Sequence, residues 1–153
     1  MSFREGARMI SESVTADRWT QRRMRKAARL ARAAAYVRDG RFAAADAVAL
    51  LEAIVEPGDR VCVEGNNQKQ ADFLSRSLAR VDPEKIHDLH LLISVLGRPE
   101  HIDLFERGIA TRVDFSFSGP QSLRLAQLVA DRKVQIGAIH TYLELFAVTT
   151  PPL

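Results

Sequence analysis

The chain of 153 residues is the length of one domain, since domains usually hold about 100–200 residues. A composition of 46% hydrophobic and 27% charged residues, with 8 Gly and 6 Pro, excludes a disordered or fibrous chain. No apolar run approaches the roughly 18–20 residues of a membrane span, and the start MSFREGARMISES lacks the apolar core of a secretory signal. We therefore expect a cytoplasmic protein without membrane association, and the single cysteine excludes an internal disulfide.

The net charge of +3 conceals a strongly basic N-terminal segment. Residues 1–41 hold 11 of the 22 lysines and arginines but only four acidic residues, a net charge of +7. The rest of the chain has a net charge of −4. We expect any electrostatic partner to meet the N-terminal segment first.

Two helices are predicted before any strand. Residues 1–16 show no sustained hydrophobic period, so we expect a loose lead-in there. Asp17 is an N-cap candidate for a first helix that is rich in Ala, Arg and Leu and runs to about Arg38, where an Asp-Gly pair supplies a stop. A second helix is predicted over Ala43–Val55 and ends at the turn sequence EPGD.

Short apolar strands then alternate with helices. Strands are predicted at Arg60–Glu64, His87–Leu96, Arg112–Phe117 and Val134–His140, and helices at Gly65–Val81, Pro99–Arg107 and Ser118–Lys133. This alternation is typical of right-handed crossovers in an α/β fold. We predict an open parallel sheet of about four strands with crossover helices, preceded by the two N-terminal helices.

One α/β unit is expected over residues 17–147. The last residues, 148–153, have the sequence VTTPPL and interrupt a helix that begins at Tyr142. They are interpreted as a truncated tail.

Ligands of open α/β sheets bind beyond the carboxyl ends of the strands, and this rule identifies candidate binding residues. This rule selects polar and small residues after each strand: Gly65, Asn66, Asn67 and Gln68, then Ser94 and Gly97, then Ser116, Ser118 and Gly119, and finally His140.

The segment Gly65–Gln68 offers a glycine and three amides at a strand-to-helix turn. Amides there have donors for a thioester carbonyl or a carboxylate, although Asn66 or Asn67 alternatively serves only as a helix cap. The segment matches neither a P-loop nor a dinucleotide fingerprint. His140 is a candidate to polarise a carbonyl, and its alternative is a structural role.

The other histidines and the cysteine carry no metal-binding spacing. His87 and His90 lie three residues apart on a predicted strand, so they point to opposite faces, and no metal site is predicted. Cys62 lies in the middle of a predicted strand and is expected to be a small buried residue.

Five arginines of the first helix share one face. They lie at alternating spacings of four and three residues, and this arginine row consists of Arg18, Arg22, Arg25, Arg29 and Arg32. The row is interpreted as a docking surface for an acidic carrier or neighbouring subunit, or as a solvated helix face. Binding to nucleic acid is disfavoured, because few aromatic residues that stack on bases accompany it.

Four strings resemble the alpha subunit of bacterial malonate decarboxylase, within the family I coenzyme A transferase group. They are PGDRVCVEGNNQKQADFLSRSL, KIHDLHLLISVLGRPEHIDLFERGIA, RVDFSFSGPQSLRLAQLV and IGAIHTYLELFA. The resemblance runs from about Asp17 to Ala147 and covers the N-terminal portion of the longer chains of that family.

The resemblance implies a transferase that exchanges acetate for malonate on an acyl carrier protein. The alternative function is that of a non-catalytic interaction domain, which docks an acidic carrier or partner subunit through the arginine row. The resemblance also implies a partner carrier subunit with a phosphopantetheine-type thiol arm, other decarboxylase subunits, and no metal or cofactor bound by this chain. Family I transferases attack with a glutamate from a later segment, so no catalytic residue is assigned here. Gly65–Gln68 takes the place of the family's Gly-rich loop, with Ser118, Gly119 and His140 at neighbouring strand ends.

Overall fold

The structure is a computed structural model that describes residues 3–65 and 72–139, with side chains from residue 17 onward. Its first element, α1, spans Phe3–Ala33 and continues as a 3-10 turn, Ala34–Tyr36. A second 3-10 turn, Ala44–Asp46, leads into α2, Ala47–Ile54. The two predicted N-terminal helices are therefore present.

The expected loose lead-in differs from the structure, because α1 begins at Phe3 and not at Asp17. The segment before Asp17 contains Arg, Glu, Ala and Met, all good helix formers, so the helix continues through it without an apolar period. The other end of α1 is shorter than predicted and changes to the 3-10 turn after Ala33.

Four parallel strands form one sheet in the order β1-β2-β3-β4. They are β1 Arg60–Val63, β2 Leu89–Val95, β3 Ala110–Phe117 and β4 Gln135–Ala138. Three crossover helices connect them, α3 Asp72–Leu78, α4 Pro99–Glu106 and α5 Ser122–Ala130. The predicted α/β fold class is confirmed, and each strand pairs with the next strand in the chain.

The core lies between the sheet and these three helices. Alternate residues of β2 and β3, such as Leu91 and Val113, belong to one buried cluster with Leu78 of α3, Phe105 of α4 and Leu128 of α5. Right-handed crossovers that always advance in the same direction place their helices on the same face of the sheet. The single cluster is the consequence of that geometry.

The other face of the sheet is more polar. His90 and Asp114 are buried there, whereas Arg112 and Gln135 are exposed. Cys62 also points to this face and is exposed, so the prediction of a buried cysteine is wrong. The alternation of β1 directs its valines, not Cys62, toward the helices.

The sheet core provides a direct test of this packing. Leu91 has no exposed surface, whereas Leu123 of α5 is 87% exposed. We expect Leu91→Ala to reduce the free energy of unfolding by about 2–5 kcal/mol, because it leaves a cavity between sheet and helices. Leu123→Ala is the control and should cost about 0.5 kcal/mol or less. Urea unfolding curves measure both, and equal effects would contradict the assignment of the core face.

Candidate functional site

All four strands end at the same edge of the sheet, because they are parallel. The residues that follow them there are Gly65 after β1, Leu96 and Gly97 after β2, Ser118 after β3 and Ile139 after β4. Backbone hydrogen bonds tie this edge together beyond the strands. Leu96 N donates to Phe117 O at 2.8 Å, and Ile139 N donates to Phe115 O at 3.0 Å.

Gly65 is buried against the neighbouring strand. A Cβ atom on it would lie 2.5 Å from both the Cγ1 atom of Ile93 and the carbonyl oxygen of Val95. Real Cβ atoms do not approach that closely, so only glycine fits between β1 and the end of β2. The backbone at Gly65, just after β1, is therefore held in close contact with β2.

Ser118 and Gly119 form the turn between β3 and α5. Gly119 has φ +50°, in the left-handed region, and starts a 3-10 turn that precedes the α-helix. The side chain of Ser118, the residue before this turn, makes no cap hydrogen bond to it. The Ser118 hydroxyl instead bonds to the hydroxyl of Ser122 at 2.8 Å, and Ser122 Oγ donates to Gly119 O at 2.7 Å.

Ser116 occupies the same edge on the polar face of the sheet. Its hydroxyl donates to the carbonyl oxygen of Ile139 at 2.5 Å, which fixes the exit of β4 against β3. Ser118 and Gly119 are half-buried and lie at this edge together with Gly65. Four further predicted binding residues, Asn66, Asn67, Gln68 and His140, lie outside the described residues.

A buried His–Asp pair that the sequence analysis did not predict lies within the polar face. His90 Nε2 is 2.9 Å from Asp114 Oδ2, and the two residues come from adjacent strands. Burial lowers the pKa of His90, against the opposing effect of Asp114. The neutral ring then donates its Nε2 proton to the carboxylate.

The carboxylate of Asp114 also explains a second glycine. A Cβ atom on Gly137 of β4 would overlap Asp114 Oδ1 well inside van der Waals contact, so a side chain fits there only if Asp114 moves. The sequence gives one signal for this packing: Asp114 lies in an apolar strand, and Gly137 lies in the next strand. The pair lies within the strands and not at their carboxyl ends, so it is separate from the candidate site.

The arginine row on α1 divides into two parts. Arg29 and Arg32 make ion pairs with the turn after α2, at 2.6–2.7 Å to Glu56 and Asp59. The other three arginines, which we call the outer arginines, are exposed and form no ion pair with another described residue: Arg18, Arg22 and Arg25. Arg29 and Arg32 therefore have partners inside the chain, and the docking role of the five arginines stays a prediction.

A surface cavity of about 350 Å³ lies between α3 and α4, on the helical side of the sheet. Arg76, Arg80 and Arg107 line it together with Glu100, Asp103 and Glu106. Arg107 is used to hold α3, because its guanidinium donates to the carbonyl oxygens of Ala79 and Val81. Opposite charges alternate around this cavity, so it has no net preference for an anionic substrate.

The part of the chain that the structure describes contains no group of three or more His, Cys, Asp or Glu residues placed to hold a metal ion. Within the same residues, no helix is long and apolar enough to cross a membrane.

Comparisons with known proteins agree with the fold. The family profile described as malonate decarboxylase, alpha subunit, transporter matches residues 18–150. The acetyl-S-ACP:malonate ACP transferase of Malonomonas rubra is 52% identical over 100 residues, which is 65% of this chain and 18% of that protein. This chain therefore spans about a fifth of the length of that relative.

Two solved structures have the same fold. The malonate decarboxylase alpha subunit of Acinetobacter baumannii is 53% identical with a TM-score of 0.80, covering 84% of this chain and 24% of that chain. A chain in the structure of a Pseudomonas malonate decarboxylase hetero-tetramer in complex with malonate is 60% identical with a TM-score of 0.80. That match covers 85% of this chain and 24% of the Pseudomonas chain.

The close contact of Gly65 with Ile93 and Val95 can be tested by substitution. We expect Gly65→Ala to cost about 3 kcal/mol of unfolding free energy, because the methyl group must displace Ile93 and the backbone of β2. Gly58→Ala is the matched control, since Gly58 has φ +78° but open space around it. It should cost only about 1–2 kcal/mol, the penalty of a left-handed alanine. Chemical unfolding of both variants measures the difference, and an equal cost would contradict the close contact.

Proposed function

The chain belongs to the malonate decarboxylase alpha subunit family, and on that premise we propose that it forms the N-terminal α/β part of an acyl carrier protein transferase. The reaction converts acetyl-S-carrier protein and malonate to malonyl-S-carrier protein and acetate. The thioester bond between the carrier thiol and the acetyl group breaks, and the acetyl group leaves as acetate. The same thiol then forms a thioester bond with a carboxyl group of malonate, so one thioester replaces another.

The carboxyl edge of the sheet is the observation that carries this proposal. It brings the Gly65 turn, Gly97 and the Ser118–Gly119 turn together at the place where open α/β sheets bind their ligands. The Malonomonas rubra relative, an acetyl-S-ACP:malonate ACP transferase, supports the same reaction. We propose that this edge faces the thioester carbonyl and the malonate carboxylates.

The described residues at this edge bind and orient rather than attack. Covalent acyl transfer needs an activated nucleophile, and the hydroxyl of Ser118 is bonded to a second serine instead of a general base. The attacking carboxylate is proposed to come from a segment that follows this part in the longer relatives. Amide groups of Asn66, Asn67 and Gln68, with His140, are proposed to hold the oxyanion that develops on the carbonyl.

The thiol is proposed to belong to a phosphopantetheine-type arm on the carrier protein, so that this chain binds no metal and no cofactor of its own. The Pseudomonas relative is part of a hetero-tetramer in complex with malonate. We accordingly propose that this chain acts with other decarboxylase subunits, and that the assembly works in the cytoplasm.

A chimera tests the function. Residues 18–147 of this chain replace the matching segment of the Pseudomonas alpha subunit, and malonyl-carrier formation is measured by mass spectrometry of the carrier. The chimera should form malonyl-carrier. The 153-residue chain alone should form none, because the attacking carboxylate is proposed to lie in another segment of the longer relatives.

The chimera also tests the amide segment. Asn67→Ala should lower turnover by about tenfold or more, since the loss of a single oxyanion donor lowers turnover by up to about 10²–10³-fold. A chimera that assembles with its partner subunits and transfers nothing would overturn the proposed function. Transfer by the isolated chain would overturn the assignment of the nucleophile to another segment.

A further inference from the structure

A buried contact between α3 and α4 contains a histidine that the proposed reaction does not use. Ser75 Oγ of α3 is 3.3 Å from His101 Nε2 of α4, and each residue is 1% exposed. The other ring nitrogen of His101, Nδ1, is buried and has no hydrogen-bond partner among the described residues. The surroundings of the ring therefore provide a partner for one nitrogen only.

These surroundings suit the neutral ring and oppose the protonated one. An imidazolium has two N–H donors, and the second would be buried without an acceptor. Neither ring nitrogen bonds to a carboxylate that would compensate the positive charge. Burial lowers the pKa of His101, Glu100 opposes this effect, and Arg98 lowers the pKa further. Protonation of His101 therefore requires the contact between the two helices to open.

Other charged groups near the contact are already paired. Four of them belong to α3 and the start of α4 and pair with one another: Asp72, Arg76, Arg98 and Glu100. Arg124 of α5 faces α4 and is bound by Asp103 and Glu106. The residues of β3 that face the helices, such as Val113, are apolar. Carboxylates titrate near pH 4 and arginines above about pH 12, so among the described residues at this contact His101 is the group that titrates nearest neutral pH.

The chain holds α3 against α4 at two points that respond differently to pH. The guanidinium of Arg107, just after α4, donates to the carbonyl oxygens of Ala79 and Val81, beyond the end of α3. An arginine keeps its charge at every pH at which proteins fold. Ser75 lies nearer the start of α3, where His101 provides the contact. Because a helix of seven residues depends on packing, a change at His101 acts on this first part of α3.

The first part of α3 directly follows the predicted amide segment. Six residues, 66–71, connect Gly65 to Asp72 in the sequence. The backbone at Gly65 is held against β2 at one end of this segment. The contact between Ser75 and His101 holds the helix at the other end. A segment between two fixed points has fewer conformations than a segment that is fixed at one end.

We propose that His101 is a pH-sensitive lock on α3: the neutral ring bonds to Ser75 and fixes the chain beyond the amide segment, and protonation opens this contact. The proposal rests on the proposed function, since it concerns the segment that is assigned there to the oxyanion. The open contact binds a proton with the ordinary pKa of histidine, about 6.5, and the closed contact does not. The stability of the closed contact is therefore fully present above that pH and is lost as the pH falls below it.

Amide hydrogen exchange of α3 in the full 153-residue chain tests the lock. Protection factors of the amides of residues 76–79, corrected for intrinsic exchange rates, give the opening constant. This constant should rise about tenfold between about pH 7.5 and 5.5, since only the open state takes up the proton. His101→Gln keeps an amide that can bond to Ser75 and does not titrate, so the rise should fall below about twofold.

His90→Gln is the matched control. His90 is also a buried histidine with a side-chain partner, Asp114, but it lies in β2. This variant should keep the tenfold rise in α3. An equal loss of the pH response in the two variants would overturn the lock, because α3 would then open only together with the sheet. An unchanged response in His101→Gln would overturn it as well.

The unaltered chain offers a second measurement that needs no variant. The ¹³C chemical shift of the His101 ring should report a neutral ring for as long as α3 stays protected. A ring that titrates near its ordinary pKa while the protection of α3 stays constant would overturn the lock.

The chimera assay separates the lock from the proposed function. An active chimera whose α3 protection does not depend on pH would overturn the lock and leave the function intact. A chimera that assembles and transfers nothing, although its α3 protection depends on His101, would overturn the function and leave the pH-sensitive contact intact.

Discussion

The structure depends on one constraint, the hand of the crossovers between parallel strands. Each crossover moves one strand further along the sheet, and crossovers of one hand then place α3, α4 and α5 on the same face, as their shared core cluster shows, with all four strands ending at one edge. The apolar core and the candidate site are therefore separated by geometry. Helices bury one face, while loops with small and polar residues are left at the carboxyl edge.

Ion pairs attach α1 to the rest of the chain, whereas apolar contacts hold the core together. Its C-terminal part is held by Arg29 and Arg32, whose carboxylate partners lie in the turn after α2. These side chains are only partly buried, so they position the helix more than they stabilise it. The part of this helix from Asp17 to Ala28, beyond those ion pairs, is exposed.

The fold was predictable because its signals are local. Apolar alternation in β3 and the turn before β1 define elements without any tertiary information. The start of α1 was not predictable from periodicity, since residues 1–16 show no sustained hydrophobic period. Cys62 was misplaced for a related reason, because a strand of four residues does not reveal which face meets the helices.

The position of the candidate site was predictable from the sequence, whereas the contacts of its side chains were not. The strand-end rule places Gly65, Ser118 and Gly119 at one edge, as the structure does. The ion pairs of Arg29 and Arg32 could not be read from the sequence, because Glu56 and Asp59 lie more than twenty residues away along the chain. The contact of Asp114 with Gly137 likewise depends on the register of two strands.

The central claim is that the carboxyl edge of the sheet is the surface that meets the substrates. Amide chemical shifts of the ¹⁵N-labelled chain, recorded during addition of malonate and of an acetyl thioester of pantetheine, test it most directly. The account predicts that shifts change at Gly65, Gly97 and Gly119 and leave the α3–α4 cavity unaffected. Changes centred on Arg80 and Arg107, with none at the strand ends, would contradict it.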